Sequence, residues 1–156
     1  MKEYRKNHVS DIKTEYTEKV AALREFFLEI VDRNFISRCR FVQLFFDPET
    51  SDFVRIVNEL NPPPSPPLSP NAVRFPLISL NDDFRILQSF FVQKVPNFNL
   101  SAIFTQDPIS SAYDELIGLD KLEEYRKYQR ELYGDIFDSW AQTYRTEIED
   151  MNLPKI

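Results

Sequence analysis

The chain has 156 residues and a formal charge of −6, and 42% of its residues are hydrophobic. This length suits one folded unit with a sizeable core. An acidic chain neutralises phosphates poorly, so we predict no binding to nucleic acid. With only two glycines, the composition disfavours phosphate-cradling loops and the many turns of an all-β fold, and it favours helices.

The single cysteine and the polar N-terminus bear on the compartment. Cys39 has no cysteine partner within the chain, which is typical of a reducing compartment. The first residues lack the apolar stretch of a secretion signal, and no run approaches the ~18 apolar residues of a membrane span. We therefore expect a cytoplasmic protein.

The N-terminal part of the chain is predicted to be helical. Residues 1–9 are charged and are expected to form a flexible tail, and residues 10–60 form the N-terminal helical part. The first helix is predicted from Ser10 to about Arg33, because apolar side chains recur there at steps of three and four. These apolar side chains are Ile12, Tyr16, Val20, Leu23, Phe27 and Ile30. We expect Phe27 to lie in the core.

Two further helices are predicted before the proline-rich stretch. One runs from about Ser37 to Phe46 and ends ahead of Pro48, because a proline disfavours helix in the preceding residue. The other begins at Ser51, a residue type that caps helix N-termini. Phe45 is expected to be a second core residue.

Residues 61–80 are predicted to form a proline-rich connector. Six of the 11 prolines lie between residues 61 and 70. Proline fixes φ and removes the amide donor, so this run is expected to be extended and exposed. A short extended piece follows from Ala72 to Leu80, and Pro76 restricts it to an edge strand or a loop.

Residues 81–156 are predicted to form a C-terminal helical part that packs on the first. Asn81 begins one helix, which Pro96 ends. Asp107 caps a shorter helix, with Pro108 at its first position. The predicted fold is mainly α: a single helical domain of about six helices with a proline-rich extended connector.

The last helix is predicted from Lys121 toward Asp150, with Gly134 as a candidate position for a kink. Its apolar stripe is predicted to consist of Tyr125, Tyr128, Leu132, Ile136, Trp140, Tyr144 and Ile148. A stripe at this spacing is typical of a core, but exposed aromatic patches also mark interfaces. Trp140 and Tyr144 are therefore candidate partner-binding residues.

The proline-rich run matches the PxxP spacing of ligands that bind aromatic grooves in the polyproline II conformation. The candidate partner-binding prolines are Pro63, Pro66, Pro67 and Pro70. No basic residue stands directly beside the run, and a plain linker is the alternative interpretation. Ser65-Pro66 and Ser69-Pro70 also have the form of proline-directed phosphorylation sites.

The sequence contains few groups that favour catalysis or metal binding. The only histidine, His8, lies in the predicted tail, so neither a nucleophile–histidine pair nor a zinc site is expected. Paired acids would suit an enzyme with a carboxylate-lined pocket between helices, but each pair lies at a predicted helix start, where a capping or dipole role explains it. The pairs are Asp82/Asp83, Glu123/Glu124 and Asp135/Asp138. We predict no enzyme activity and no cofactor, and keep the enzyme as an alternative.

Three arginines flank the predicted joint between the first two helices. Guanidinium groups bind phosphate well, so Arg33, Arg38 and Arg40 are candidate anion-binding residues. The alternative is that they are solvated charges at helix ends.

The segment from Tyr16 to Pro48 resembles the C-terminal helical part of a phox-homology domain. The resemblance rests on Leu23, Phe27, Ile36-Ser37-Arg38-Cys39, Val42 and Phe45-Phe46. It implies a phosphoinositide-binding, membrane-associated module. The family's N-terminal sheet and basic site have no counterpart upstream of this segment, so no lipid-binding residue is assigned.

The sequence as a whole predicts a non-catalytic protein–protein interaction module, either an adaptor or a complex subunit. It would use an aromatic-rich helical face and, as a second element, the PxxP run. Its partners are expected to be proteins. The phosphoinositide module and the carboxylate enzyme are the two alternatives.

Overall fold

A computed structural model describes residues 2–37, 40–57 and 69–153, with side chains described at 15–34, 40–57 and 69–153. In chain order the elements are α1 Lys2–Ser37, β1 Phe41–Asp47, β2 Asp52–Val57, β3 Val73–Arg74, β4 Ile78–Ser79, α2 Leu80–Lys94, a 3-10 helix Leu100–Ile103, α3 Pro108–Gly118, α4 Leu122–Thr143 and α5 Arg145–Asp150. The described chain is mainly helical, as predicted. It contains five α-helices, so the predicted number of about six is not confirmed.

The first helix is longer than predicted. It begins at Lys2 rather than Ser10, so it includes residues 2–9, where the sequence predicts a flexible tail. Phe27, in its C-terminal half, is fully buried, which confirms its place in the core. Among the described residues, none of the helices combines the length and the apolar character needed to cross a bilayer.

Residues 41–57 form an antiparallel β-hairpin, so the helices predicted at 37–46 and from Ser51 are wrong. The pairing runs from Val42 opposite Val57 to Asp47 opposite Asp52. The buried side chains of Val42, Leu44 and Phe46 recur with the period of two that a strand requires. The strand also covers part of the segment in which the phox-homology resemblance implies a helix.

Phe45 is half-buried, so its predicted place in the core is also wrong. It occupies the opposite face of β1 from Phe46, which is fully buried. Adjacent residues of a helix can share one broad buried face, whereas adjacent residues of a strand point to opposite faces of the sheet.

Two short strands complete the four-stranded sheet on the other side of β1. Val73 of β3 lies opposite Phe46, and Ser79 of β4 lies opposite Phe41. The break between β3 and β4 contains Pro76, which lacks the amide donor that a continuous strand needs. The predicted edge position of this segment is therefore confirmed.

The starts of α2 and α3 agree with the prediction. Ser79 caps α2 by accepting a hydrogen bond from the Asp82 amide at 3.2 Å. Asp107 caps α3 by accepting from the Ser110 amide at 3.2 Å, and Pro108 is the first helical residue. These short polar side chains satisfy amides that would otherwise lack a partner.

The last predicted helix is divided into α4 and α5, but the division falls at Tyr144 and not at Gly134. The buried face of α4 also differs from the predicted stripe. It consists of Tyr125, Gln129, Tyr133, Gly134, Phe137 and Ala141. Ile136, predicted to be buried, is 45% exposed.

The central packing joins α1 to α4, which run antiparallel. The Phe27 ring lies 6.3 Å from that of Tyr133 and 5.8 Å from that of Phe137, measured between centroids. Ion pairs flank this apolar contact: Arg24 with Asp138, and Arg130 with both Glu25 and Asp32. The sheet, α2, the 3-10 helix, α3 and α5 also contribute buried side chains to the core.

Candidate functional site

The predicted partner-binding prolines fall at the margin of the described residues. Pro63, Pro66 and Pro67 lie outside them, whereas Pro70 is described and exposed. Pro70 is the second residue of a turn in which the Ala72 amide donates to the Ser69 carbonyl at 3.2 Å. Proline is common at this position of a turn because its fixed φ matches the value that the turn requires.

Ser69 is held by the carboxylate of Asp47, at the end of β1. The Ser69 hydroxyl donates to Asp47 Oδ1 at 2.7 Å, and the Ser69 amide donates to Oδ2 at 3.2 Å. The Glu49 amide also donates to Oδ1, at 3.0 Å. We call these three hydrogen bonds the Asp47–Ser69 clasp. It joins the hairpin turn after β1 to the turn that precedes β3.

The clasp favours the charged form of its carboxyl group. Asp47 is only 4% exposed, yet its pKa is lowered. The hydrogen bond from the Ser69 hydroxyl is the main cause, and it outweighs the opposing effect of burial. Asp47 therefore remains an anion that accepts hydrogen bonds from its neighbours.

A buried glutamine next to the clasp ties β1 to β3. Gln43 Nε2 donates to the Phe75 carbonyl at 2.6 Å. Arg74 Nε donates to Gln43 Oε1 at 2.9 Å. These bonds satisfy both ends of an amide that is 5% exposed, as the burial of a polar group requires.

The candidate residues Trp140 and Tyr144 are half-buried at the joint between α4 and the sheet. The Trp140 ring stacks on Phe75 at 4.4 Å and on Tyr144 at 5.3 Å, and its Nε1 donates to the Arg74 carbonyl at 2.9 Å. Phe75 in turn contacts Phe53 of β2. Trp140 therefore packs against the sheet, a contact that the predicted apolar stripe did not include.

The candidate anion-binding arginines are only partly described. Arg33, in the last turns of α1, and Arg40, just before β1, are both exposed. Arg38 lies outside the described residues. The joint that they flank is between a helix and a strand, not between two helices.

A second buried carboxyl group, Asp83, lies in the first turns of α2 and faces α4. It is 1% exposed. The Tyr133 hydroxyl donates to Asp83 Oδ1 at 2.7 Å, and Gln129 Nε2 approaches the same oxygen at 3.4 Å. Among the described residues, Gln129 Oε1 has no hydrogen-bond partner.

The pKa of Asp83 shifts in the opposite direction from that of Asp47, although burial favours the protonated form of both groups. Desolvation raises the pKa of Asp83 to about 6, while the hydrogen bonds from Tyr133 and Gln129 oppose this shift. The negative charge of Asp82 makes a smaller contribution to this rise. Burial and the proximity of Asp83 also raise the pKa of Tyr133, which therefore stays protonated and acts as a donor.

Two open grooves lie along α1. One, of about 220 Å³, is lined by Tyr16, Thr17, Val20, Asp138, Ala141 and Gln142. The other, of about 380 Å³, lies between α1 and the end of α5, where Lys19 Nζ donates to the Met151 carbonyl. Asp83 lines neither groove. Within the described ranges, no group of three or more His, Cys, Asp or Glu residues is arranged to hold a metal ion.

The sequence contains a signal for the burial of each acid. Asp83 belongs to the pair Asp82/Asp83, for which either helix capping or a carboxylate-lined pocket was predicted, whereas Asp47 was assigned no site role. Asp83 precedes the buried Leu87 by four residues, which places it on the inner face of α2. Asp47 ends a strand and is followed by proline, a common turn signal, but its partner Ser69 is distant in the sequence. Only the folded chain brings Asp47 and Ser69 together.

Comparisons with known proteins reveal no family: no family model, no curated protein and no solved structure matches the chain. The geometry of the described residues therefore carries the functional argument.

Proposed function

We propose that the protein is a non-catalytic protein–protein interaction module that carries a PxxP ligand on a mainly helical body. The observation that supports this proposal is the attachment of both flanks of the proline-rich run to one strand. Upstream of the run, Val57 pairs with Val42 of β1. Downstream of it, Ser69 bonds to Asp47 at the other end of β1.

The two attachments are separated by five residue steps along β1, which is about 17 Å at ~3.3 Å per residue. Eleven residues, 58–68, connect them in the sequence. A chain of that length can reach roughly 35 Å when extended. The connection is therefore long enough for a partner to bind the run without unpairing the sheet.

The chemistry of the run suits an aromatic groove. Prolines at PxxP spacing present two ridges at a low entropic cost of ordering. The nearest downstream base, Arg74, already donates to Gln43. We therefore favour a partner domain whose groove reads the prolines themselves rather than a flanking positive charge.

The aromatic helical face is the second surface in this proposal. Trp140 and Tyr144 are half-buried, so part of each ring is exposed to solvent. Because Trp140 also packs on Phe75, its replacement would affect the fold as well as any partner. The proline run is therefore the better surface to test. We also retain the single helical domain and the cytoplasmic location as parts of the proposal.

Titration of the full chain with a panel of purified SH3, WW and EVH1 domains, followed by fluorescence anisotropy, tests the proposal. We expect at least one domain to bind. Replacing Pro63, Pro66, Pro67 and Pro70 together by alanine should abolish that binding and leave Tm nearly unchanged. Pro96→Ala is the matched control, because Pro96 is exposed and lies outside the run.

Three outcomes would count against the proposal. Absence of binding to every domain would remove the ligand role, and so would binding that survives the four replacements. A large fall in Tm for the four-proline variant, but not for Pro96→Ala, would mean that the prolines pack as a structural strap.

A further inference from the structure

We propose that Ser69 is the phosphorylation site of a proline-directed protein kinase, and that phosphorylation opens the Asp47–Ser69 clasp. This proposal rests on the geometry of the clasp and on the Ser69-Pro70 pair. It does not depend on the interaction function, because it concerns a modification of the chain itself.

The local sequence and exposure suit such a kinase. The chain contains two Ser-Pro pairs, Ser65-Pro66 and Ser69-Pro70, and the second lies within the described residues. Pro70 and Asn71 are exposed, and Ser69 is half-buried. Among the described residues, one hydrogen bond within the turn and two from Ser69 to the Asp47 carboxylate hold residues 69–72, so we expect local opening of this turn to cost less than unfolding of the core.

The reaction is an ordinary phosphoryl transfer from a nucleoside triphosphate, which the kinase binds with magnesium. The Ser69 Oγ attacks the γ-phosphorus, and a new O–P bond forms as the bond to the β-phosphate oxygen breaks. The hydroxyl proton passes to the kinase's catalytic carboxylate, and the nucleoside diphosphate leaves. No oxidant or reductant is required.

Phosphorylation would replace the hydrogen-bond donor of the clasp with a negatively charged acceptor. The hydroxyl that donates to Asp47 Oδ1 at 2.7 Å is lost, and a group with a charge of about −1.5 to −2 takes its place. Asp47 is an anion, and Asp52 lies directly opposite it on β2. Glu49, whose amide also binds Asp47, adds a further negative charge.

The nearest described base on the adjoining strand does not offset this repulsion without a rearrangement. Arg74, opposite Phe45, donates to Gln43 Oε1. The phosphate would therefore meet three acids at this end of the sheet. Arg55 of β2 lies opposite Leu44, three residues along β1 from Asp47, and the alternation of side chains in a strand places it on the other face of the sheet. We expect the turn of residues 69–72 to separate from β1, while the Glu49 amide keeps its bond to Asp47.

The full chain, incubated with a purified proline-directed kinase and magnesium ATP, provides the test. Site-resolved mass spectrometry measures phosphate on Ser69, and NMR hydrogen exchange measures protection of the Ser69 and Glu49 amides. We expect Ser69 to be phosphorylated and its amide to exchange about tenfold faster or more, since a hydrogen bond to a charged group is lost. The Glu49 amide should change much less.

Two variants make the result specific. Pro70→Ala keeps the Ser69 hydroxyl but removes the proline that the kinase recognises, so Ser69 should remain unmodified. Asp47→Asn weakens the clasp and should accelerate exchange of the Ser69 amide without any kinase. In both variants Ser65 serves as an internal reference for kinase activity.

Each of the contrary results would overturn the proposal. Ser69 could remain unmodified while Ser65 is phosphorylated. Ser69 could be modified only in Asp47→Asn, which would mean that the clasp shields the site. It could also be modified in the wild type with no change in exchange of its amide, which would mean that the clasp does not respond.

Discussion

One aspartate is buried at the end of the sheet and another at the interface of α2 with α4, but the two carboxyl groups have pKa values shifted in opposite directions. Asp47 is 4% exposed and has a lowered pKa. Asp83 is 1% exposed, and its pKa is raised to about 6. Burial alone therefore does not decide whether a carboxyl group in this protein is charged.

The difference lies in the donors around each group. Asp47 accepts bonds on both oxygens, from two amides and one hydroxyl, and this favours its anion. The described hydrogen-bond donors to Asp83, the Tyr133 hydroxyl and the Gln129 side-chain amide, both meet Oδ1. Desolvation consequently dominates at Asp83, and the clasp dominates at Asp47.

The two groups give stability opposite pH dependences. Asp83 binds its proton more tightly in the folded state, so its contribution is full below the ordinary carboxyl pKa and is lost as the pH rises to about 6. Asp47 binds its proton less tightly in the folded state. Its contribution is present above the ordinary pKa and is lost as the pH falls through the lowered value.

The largest expected effect is the loss of stability on truncating a buried ring between α1 and α4, which should exceed the loss at a half-buried ring of the sheet. Phe27→Ala should lower the free energy of unfolding by about 3–5 kcal/mol, because it removes a fully buried ring beside Tyr133. Phe45→Ala should cost roughly half as much, since Phe45 is half-buried. Chemical denaturation measures both, and equal losses would show that the two regions are equally packed.

Asp83→Asn tests the raised pKa directly. The shift from 3.8 to about 6 corresponds to about 3 kcal/mol in all, and the wild type loses most of it between pH 4 and pH 7. The variant cannot ionise, so it should gain stability relative to the wild type as the pH rises.

Denaturant unfolding at several pH values measures this gain. Asp114→Asn is the matched control, because Asp114 is exposed on α3. A stability difference between Asp83→Asn and the wild type that stays constant from pH 4 to pH 7 would contradict the raised pKa.

Tyr133→Phe should have a smaller effect that also depends on pH. The variant removes the 2.7 Å hydrogen bond to Asp83, at a cost of about 1–3 kcal/mol near neutral pH, where the carboxylate is charged. Because that bond lowers the pKa of Asp83, its loss should raise the pKa further. Carboxyl carbon NMR follows this titration, and an unchanged midpoint would show that the hydroxyl does not stabilise the anion.

Asp47→Asn should have the smallest effect on global stability and a local effect on exchange. We expect faster amide exchange at Ser69 and Glu49 near neutral pH, because a neutral amide accepts hydrogen bonds more weakly than a carboxylate. The variant and the wild type should converge at low pH, where Asp47 is protonated. A difference that instead grows on acidification would reverse the assignment of the lowered pKa.

Local signals predicted the C-terminal helices better than the N-terminal hairpin. The start of α3 is fixed by Asp107 and Pro108. The capping bond of Asp107 joins residues only three apart in the sequence, so this helix start can be predicted from the sequence. The run Phe41–Asp47 is short, and its apolar residues match both helical and strand periods. Its pairing with residues 73–79 depends on contacts that are distant in the sequence.

The candidate functional site likewise could be predicted only where its contacts are local in the sequence. The inward direction of Asp83 follows from the phase of α2, but its contact with Tyr133 spans 50 residues of sequence. The predicted stripe of α4 placed Ile136 inside and missed Tyr133, because several apolar stripes fit one helix that is rich in aromatic residues. The packing of α4 against both α1 and α2 selects the correct one.

The interruption between β3 and β4 has a consequence for self-association. A continuous edge strand presents a row of unpaired amides and carbonyls to which other copies of a chain can add. Here that edge consists of two pieces of two residues each, separated by a segment that contains Pro76. On the opposite side of the described sheet, β2 exposes the charged side chains of Asp52 and Arg55. The sheet therefore resists growth into a fibril from either margin.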